Sequence, residues 1–288
     1  MKTLLIFICL LFPLYLQGQT NMLNTKKGLM INDDVYYGSD SLDKMRLAVY
    51  YKCTFECDTV NHEKTEYDAI LQVGKTVSKF QTYSYYLLDS LMSVSNSRAS
   101  RFYNEPLFKQ IDPVIFFDSY YLNYPEGELT FTGRLAVENF KYSEKMPKIE
   151  WQICDSISTI SGYNAQMATC HFRGRNYVAW FTTEIPVPLG PWKFSGLPGL
   201  IISVYDTKER YSFKIINTAR VERIIGIPKY LFITTNRKKY MQMQRQIRTN
   251  FDTFFNLHSG NSGIRFESPE SQRKSTITPM LYDLIELN

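Results

Sequence analysis

Four cysteines beyond residue 19, three histidines and one arginine pair are the side chains of this sequence whose chemistry depends most on their neighbours. Cys53, Cys57, Cys154 and Cys170 form an even set, which permits disulfides in oxidising surroundings. Cys154 and Cys170 are symmetric about Gly162. A hairpin with Ser161-Gly162-Tyr163 at its tip would set them opposite each other, with Cα atoms roughly 4.5–5.5 Å apart, a span a disulfide can bridge. Cys53 and Cys57 on one extended strand would lie about 13 Å apart, too far to bridge. Either the chain bends between them, or they stay reduced, or the hairpin register is different. His62, His171 and His258 have no metal-ligand spacing. Cys170 and His171 are adjacent on an expected strand and would point to opposite faces, so no metal site is expected. Arg173-Gly174-Arg175 could offer an anion site at a turn, stay solvated, or pair with Glu184 and Asp206 on neighbouring strands. Ser195-Gly196 and Ser259-Gly260 lack the surroundings of a nucleophile elbow, and Gly-rich phosphate loops are absent. The pattern points away from an enzyme and calls for no cofactor.

The strongest local constraint is Gly196-Leu197-Pro198-Gly199-Leu200-Ile201. Leu-Pro-Gly-Leu suits a type II turn, with Pro198 presetting φ and Gly199 taking the positive φ after it. Two readings of this stretch follow. Gly196, Pro198 and Gly199 build a buried turn that starts a central strand. Alternatively the segment is a rim loop, with Trp180, Trp192, Phe194 and Leu197 lining or capping an apolar ligand cleft.

These residues must be positioned by strands. LAVYYKCTFEC (47–57) alternates, YDAILQVGK (67–75) reads as a second strand, and turn signals recur about every ten residues from Lys148 to Thr218, as in an antiparallel sheet. Apolar spacing predicts a short amphipathic helix over 80–93 and a long one over 236–256, the latter capped by Thr235 or Asn236. Its basic face (Arg237, Lys238, Arg245, Arg248) could meet anionic lipid or an acidic partner, or simply face water. Residues 259–278 read as mobile, with Thr278 to Leu287 returning as a last strand.

Met1-Lys2 followed by the apolar run Leu4–Leu16 reads as a signal peptide over 1–19, too short for a span of about 20 residues. No later stretch is apolar for long enough to cross a membrane as a helix. Residues 20–45 read as a flexible lead-in and 46–288 as one domain, long enough to bury a large core. Aromatic residues make up 15% of the chain, which favours strands, and a net charge of +5 is too mild to indicate nucleic acid.

Several spellings together resemble the GLPGLI family of exported, uncharacterised Bacteroidetes proteins. They are Ser78-Lys79-Phe80 with Asp89-Ser90, Trp151-Gln152-Ile153, Ile160-Ser161-Gly162-Tyr163, Ala168-Thr169, Phe172-Arg173-Gly174-Arg175, Ala179-Trp180-Phe181, Ile185-Pro186 and Gly190-Pro191-Trp192-Lys193-Phe194, leading into Gly196–Ile201. Family members often carry a Cys soon after the Gly-Tyr turn, where this chain has Asn164-Ala165-Gln166. The resemblance implies a periplasmic address and a setting near TonB-dependent outer-membrane receptors. The hairpin and aromatic strands are also distantly similar to periplasmic lipoprotein carriers, whose curved sheet binds acyl chains. The expectation is therefore an α+β protein: a large, curved, half-barrel-like antiparallel sheet with one long and one short helix on one face. It would act as a non-enzymatic binding or accessory protein for an apolar ligand or lipid, or as an assembly partner of a TonB-dependent receptor.

Overall fold

The computed structural model describes residues 38–94, 116–135, 138–249 and 284–287. The expected signal peptide, most of the expected lead-in, the 259–278 segment and His258 lie outside the described residues. In chain order the elements are β1 Ser39–Met45, β2 Leu47–Asp58, β3 Glu63–Val73, β4 Ser78–Thr82, α1 Tyr83–Val94, β5 Ser119–Leu122, β6 Glu128–Leu135, β7 Glu138–Lys145, β8 Gln152–Ile160, β9 Tyr163–Phe172, β10 Arg175–Thr182, β11 Leu200–Asp206, β12 Tyr211–Ala219, β13 Arg223–Pro228, β14 Phe232–Thr234 and α2 Arg237–Thr249. The chain is mostly β with two helices among the described residues, and it fits the expected α+β class loosely. Twelve strands form one sheet in the order β14-β7-β6-β5-β4-β3-β2-β12-β11-β10-β9-β8, while β1 and β13 form a separate two-stranded ribbon. The large sheet is not closed, and its pairs are antiparallel except β14 with β7.

Directly paired residues share a face of a sheet. Val49, Leu71, Phe80, Tyr120, Phe131 and Tyr142 therefore run as one stripe across β2 to β7. The loop between β10 and β11 folds onto this face. Its Phe194 ring meets those of Trp151, Phe172, Tyr177 and Phe213. The Trp192 ring lies 5.6 Å from Phe172 on β9 and 6.5 Å from Tyr120 on β5, strands seven steps apart in the sheet order.

The helices do not share a face, contrary to the sequence expectation. In α2, Tyr240 packs on Phe131, Phe140 and Tyr142, on the loop-covered side. In α1, Tyr83 meets Tyr50, whose pairing with Ile70 and Gln81 puts it on the other side. Thr82 ends β4 and its hydroxyl accepts from the Tyr85 amide, so α1 is capped where the strand stops and has no linker with which to change sides. Asn236 caps α2 as expected, its Oδ1 accepting from the Lys239 amide at 3.0 Å.

Two further expectations are corrected. Residues 39–45 are not a loose lead-in but strand β1, paired to β13. The β8–β9 hairpin does turn at Ser161-Gly162, both with positive φ, but its register slips between Ile157 and Ile153. Cys154 falls in the slip and Cys170 pairs with Tyr177 of β10, so the expected Cys154–Cys170 bridge does not form; all four described cysteines are free.

The loop turn also differs in detail. Positive φ falls on Gly196 (97°) and Trp192 (56°), not on Gly199. Gly199 is required for a different reason: a Cβ there would sit 2.0 Å from the Thr182 carbonyl oxygen. Gly162 has a φ of 86° but open space around it. Gly162→Ala should therefore cost about 1–2 kcal/mol in urea unfolding, the usual left-handed penalty. Gly199→Ala should cost more than about 3 kcal/mol, because the obstructing atom is backbone. Similar midpoints for the two variants would refute the close-approach account.

Candidate functional site

On the face opposite the loop, strands β3 and β4 place Gln72, Lys79 and Gln81 side by side, since Gln72 pairs with Lys79 and Ile70 with Gln81. The β1–β13 ribbon and α1 stand over them. Between these elements lies a cavity of about 340 Å³. The sheet contributes Gln72, Lys79 and Gln81, the ribbon Ser39, Ser41, Ile224 and Gly226, and the helix Tyr86, Asp89 and Ser90. Apart from Ile224, Gly226 and the Tyr86 ring, every side chain here is polar or charged.

Lys79 is 2% exposed. Its Nζ donates to Asp89 Oδ2 at 3.3 Å and to the Gly226 carbonyl at 3.2 Å, and stands 5.1 Å over the Tyr121 ring. Burial alone would lower its pKa, but Tyr121 and Asp89 outweigh that and hold it raised, so the ammonium stays charged. Gln81 Oε1 accepts from Ser119, while the Nε2 atoms of both Gln81 and Gln72 are buried with no hydrogen-bond partner in the protein. An unsatisfied buried donor costs about 1–3 kcal/mol. The cavity is lined by Lys79, Asp89, Gln72, Gln81 and three serines, a set suited to hold a small oxygen-rich molecule.

The opposite face carries a second cluster. Lys193, fully buried, contacts Glu286 at 2.6 Å, Glu144 at 2.9 Å and the Tyr142 hydroxyl at 3.4 Å. Arg173 reaches Glu144 at 2.7 Å, and Arg237 reaches Glu286 at 2.8 Å. Burial works to raise the Glu144 pKa, but Lys193, then Arg173 and Arg237, hold it below the ordinary carboxylate value. Nearby Asp118 lies so close to Gly133 that a Cβ there would stand 2.6 Å from its Oδ1 and 2.7 Å from the Tyr240 hydroxyl. Desolvation raises the Asp118 pKa to about 7, against the pull of Lys193.

The structure places the residues expected to line an apolar cleft in the core. Trp192, Phe194 and Leu197 are 2%, 0% and 1% exposed, and Trp180 is half-buried against the same cluster. As packed, Trp192, Phe194 and Leu197 present no wall to a ligand, because the loop fills that face with their side chains, while Trp180 of β10 pairs with Ser203 and Met167 on the other face. Arg175 pairs with Asp206 at 3.2 Å, the structural use the sequence allowed, while Glu184 accepts from the Asn164 amide instead. His62 pairs with Glu56 and His171 with Asn176. No group of three or more His, Cys, Asp or Glu able to hold a metal occurs among the described residues. No described helix is long and apolar enough to cross a membrane. Sequence reasoning passed over the cavity. Its available signal was polar residues inside otherwise apolar strands, as in Ile70-Leu71-Gln72-Val73 and Lys79-Phe80-Gln81.

A family profile described as a protein of unknown function (Porph_ging) matches residues 172–203, from the end of β9 through β10 and the loop into β11. No curated protein matches the chain. Among solved structures, the chain is similar to PNGF-II in the P21 and C2 space groups, at 13% identity and a TM-score of 0.48. The similarity covers 71% of this chain and 34% and 33% of the PNGF-II chains, so this chain spans about a third of their length.

The Asp118 environment has a measurable consequence. A carboxyl raised from 3.8 to about 7 contributes stability that is full at low pH, falls as pH rises from about 4 to about 7, and then levels off. Comparing unfolding midpoints across that range, Asp118→Asn should remove the fall. Parallel pH profiles for the natural chain and the variant would refute the raised value.

Proposed function

We propose that this chain is an exported, non-enzymatic binding protein of the cell envelope whose ligand occupies the Lys79 cavity. The address rests on the apolar leader of the sequence. The observation that carries the binding reading is a space of about 340 Å³ whose lining includes Gln72, Gln81, Asp89 and the buried ammonium of Lys79. That volume is within the usual range of small-molecule sites. Lys79 and Asp89 cancel in charge, so the ligand is a small neutral or weakly charged molecule rich in oxygen acceptors. It takes the place of the apolar ligand expected from the aromatic loop residues, which are packed as core.

The reading includes a curved, half-barrel-like sheet as scaffold. Seven strand spacings would span about 34 Å if flat. A single Trp192 ring nevertheless meets rings on both β5 and β9, which supports strong curvature about the loop.

A second reading, an assembly partner of an outer-membrane receptor, draws on strand β8. It is an edge of the large sheet, with Ile153 50% and Ile157 69% exposed, and an uncovered apolar edge invites pairing with another chain.

Native mass spectrometry of the gently purified mature protein separates these readings. The binding reading expects a bound polar small molecule, lost at least tenfold in Lys79→Met and retained in Ile157→Ser. Clean ligand-free masses from the natural chain, or equal occupancy in both variants, would overturn it.

A further inference from the structure

Residues 284–287 lie against the loop-covered face in the manner of a bound peptide. Arg175 donates to the carbonyls of Leu284 (2.7 Å) and Ile285 (3.1 Å). The Leu287 amide donates to the Arg173 carbonyl at 3.0 Å, and the Leu287 carbonyl accepts from Arg245 at 2.9 Å. Ile285 packs on the core, Glu286 meets Lys193, Arg237 and Arg173, and Leu287 is 43% exposed. Main-chain bonds plus a side chain buried among cations are the contacts by which a receptor reads a linear peptide. They come from four separate parts of the chain: the β9–β10 turn, β10, the loop and α2.

We infer that this cleft is a peptide-binding site for a short bent segment with an apolar residue immediately before an acidic one, which the chain fills with its own residues 284–287 and which a partner carrying the same pattern would enter by displacing them. The acidic position is specified because Lys193 is fully buried and its charge-bearing atom touches the incoming carboxylate at 2.6 Å. The position before it is specified as apolar by the core contact of Ile285. A tethered segment competes at an effective concentration in the millimolar range, so the natural chain should bind such a partner weakly until the tether is loosened. The inference stands apart from the Lys79 cavity, which lies on the other face.

The test uses the full chain and the peptide Leu-Ile-Glu-Leu-amide with a fluorophore acylating its N-terminal amine, read by fluorescence anisotropy. Glu286→Ala should bind it at least tenfold more tightly than the natural chain, and a peptide with Gln in place of Glu should lose at least tenfold. A folded Glu286→Ala chain that does not bind, or that binds both peptides equally, would overturn the inference and leave 284–287 as a structural strap. If Glu286→Ala does not fold, the natural chain decides. Several millimolar of the Glu peptide, but not of the Gln peptide, should increase deuterium uptake at the Leu287 amide; unchanged uptake would equally overturn the inference.

Discussion

A single buried ammonium organises one side of this molecule. Taking a lysine out of water costs several kcal/mol unless its charge is met at close range. Lys193 is met by Glu144 and Glu286, and by the faces of Tyr120, Tyr142 and Trp192 at 5.6 to 5.8 Å. These partners come from β5, β7 and the 284–287 segment as well as from the loop itself, so satisfying this one charge fixes those parts relative to one another. Arg173 and Arg237 then bridge the same two carboxylates, and draw in the β9–β10 turn and α2. The aromatic packing of Phe194 and Trp192 supplies apolar burial around the cluster, at roughly 25 cal/mol per Å². The ions supply position, since a mispaired buried charge penalises every alternative placement of the loop.

The two faces of the large sheet consequently differ in character. The loop-covered face is filled by aromatic rings and locked by ions, with its cleft already occupied by the chain. Among the described residues, the other face is covered by the narrow β1–β13 ribbon and by α1, and between them remains a polar space around Lys79. Asp43 ties the ribbon to the sheet at the β3–β4 turn. Burial would raise its pKa, but the amides of Val77, Thr76 and Lys44 and the Thr76 hydroxyl hold it at about 2. The roof of the cavity is thus anchored at one corner by a charge that persists to low pH.

Local patterns made much of the sheet readable. Alternation exposed β2 and most of β3, evenly spaced turn signals exposed the β8 to β12 meander, and Asn236 marked the start of α2. The failures have physical causes. All five residues of β4 are buried, so no period of two was visible, and the strand merged with the helical spacing that follows it. β1 is polar apart from Leu42 and Met45, because it lies in a ribbon whose outer side meets water. The disulfide expectation failed on a register slip that no spacing rule encodes. For the sites, Lys79 and Asp89 stood in the family-like spellings, yet nothing local revealed that a strand and the helix after it would bring them together over a cavity. Glu286 was less legible still, since its partners Lys193 and Arg237 are distant in sequence and only the assembled sheet unites them.

Lys193 and Glu144 are coupled as a buried pair rather than being two tolerated surface charges. The most direct test is a double-mutant cycle in urea with Lys193→Met, Glu144→Gln and the combination. The account predicts non-additivity of about 1–3 kcal/mol, with the double variant more stable than the sum of the single losses implies. Additivity within about 0.5 kcal/mol would mean that the pair carries no joint energy, and would contradict it.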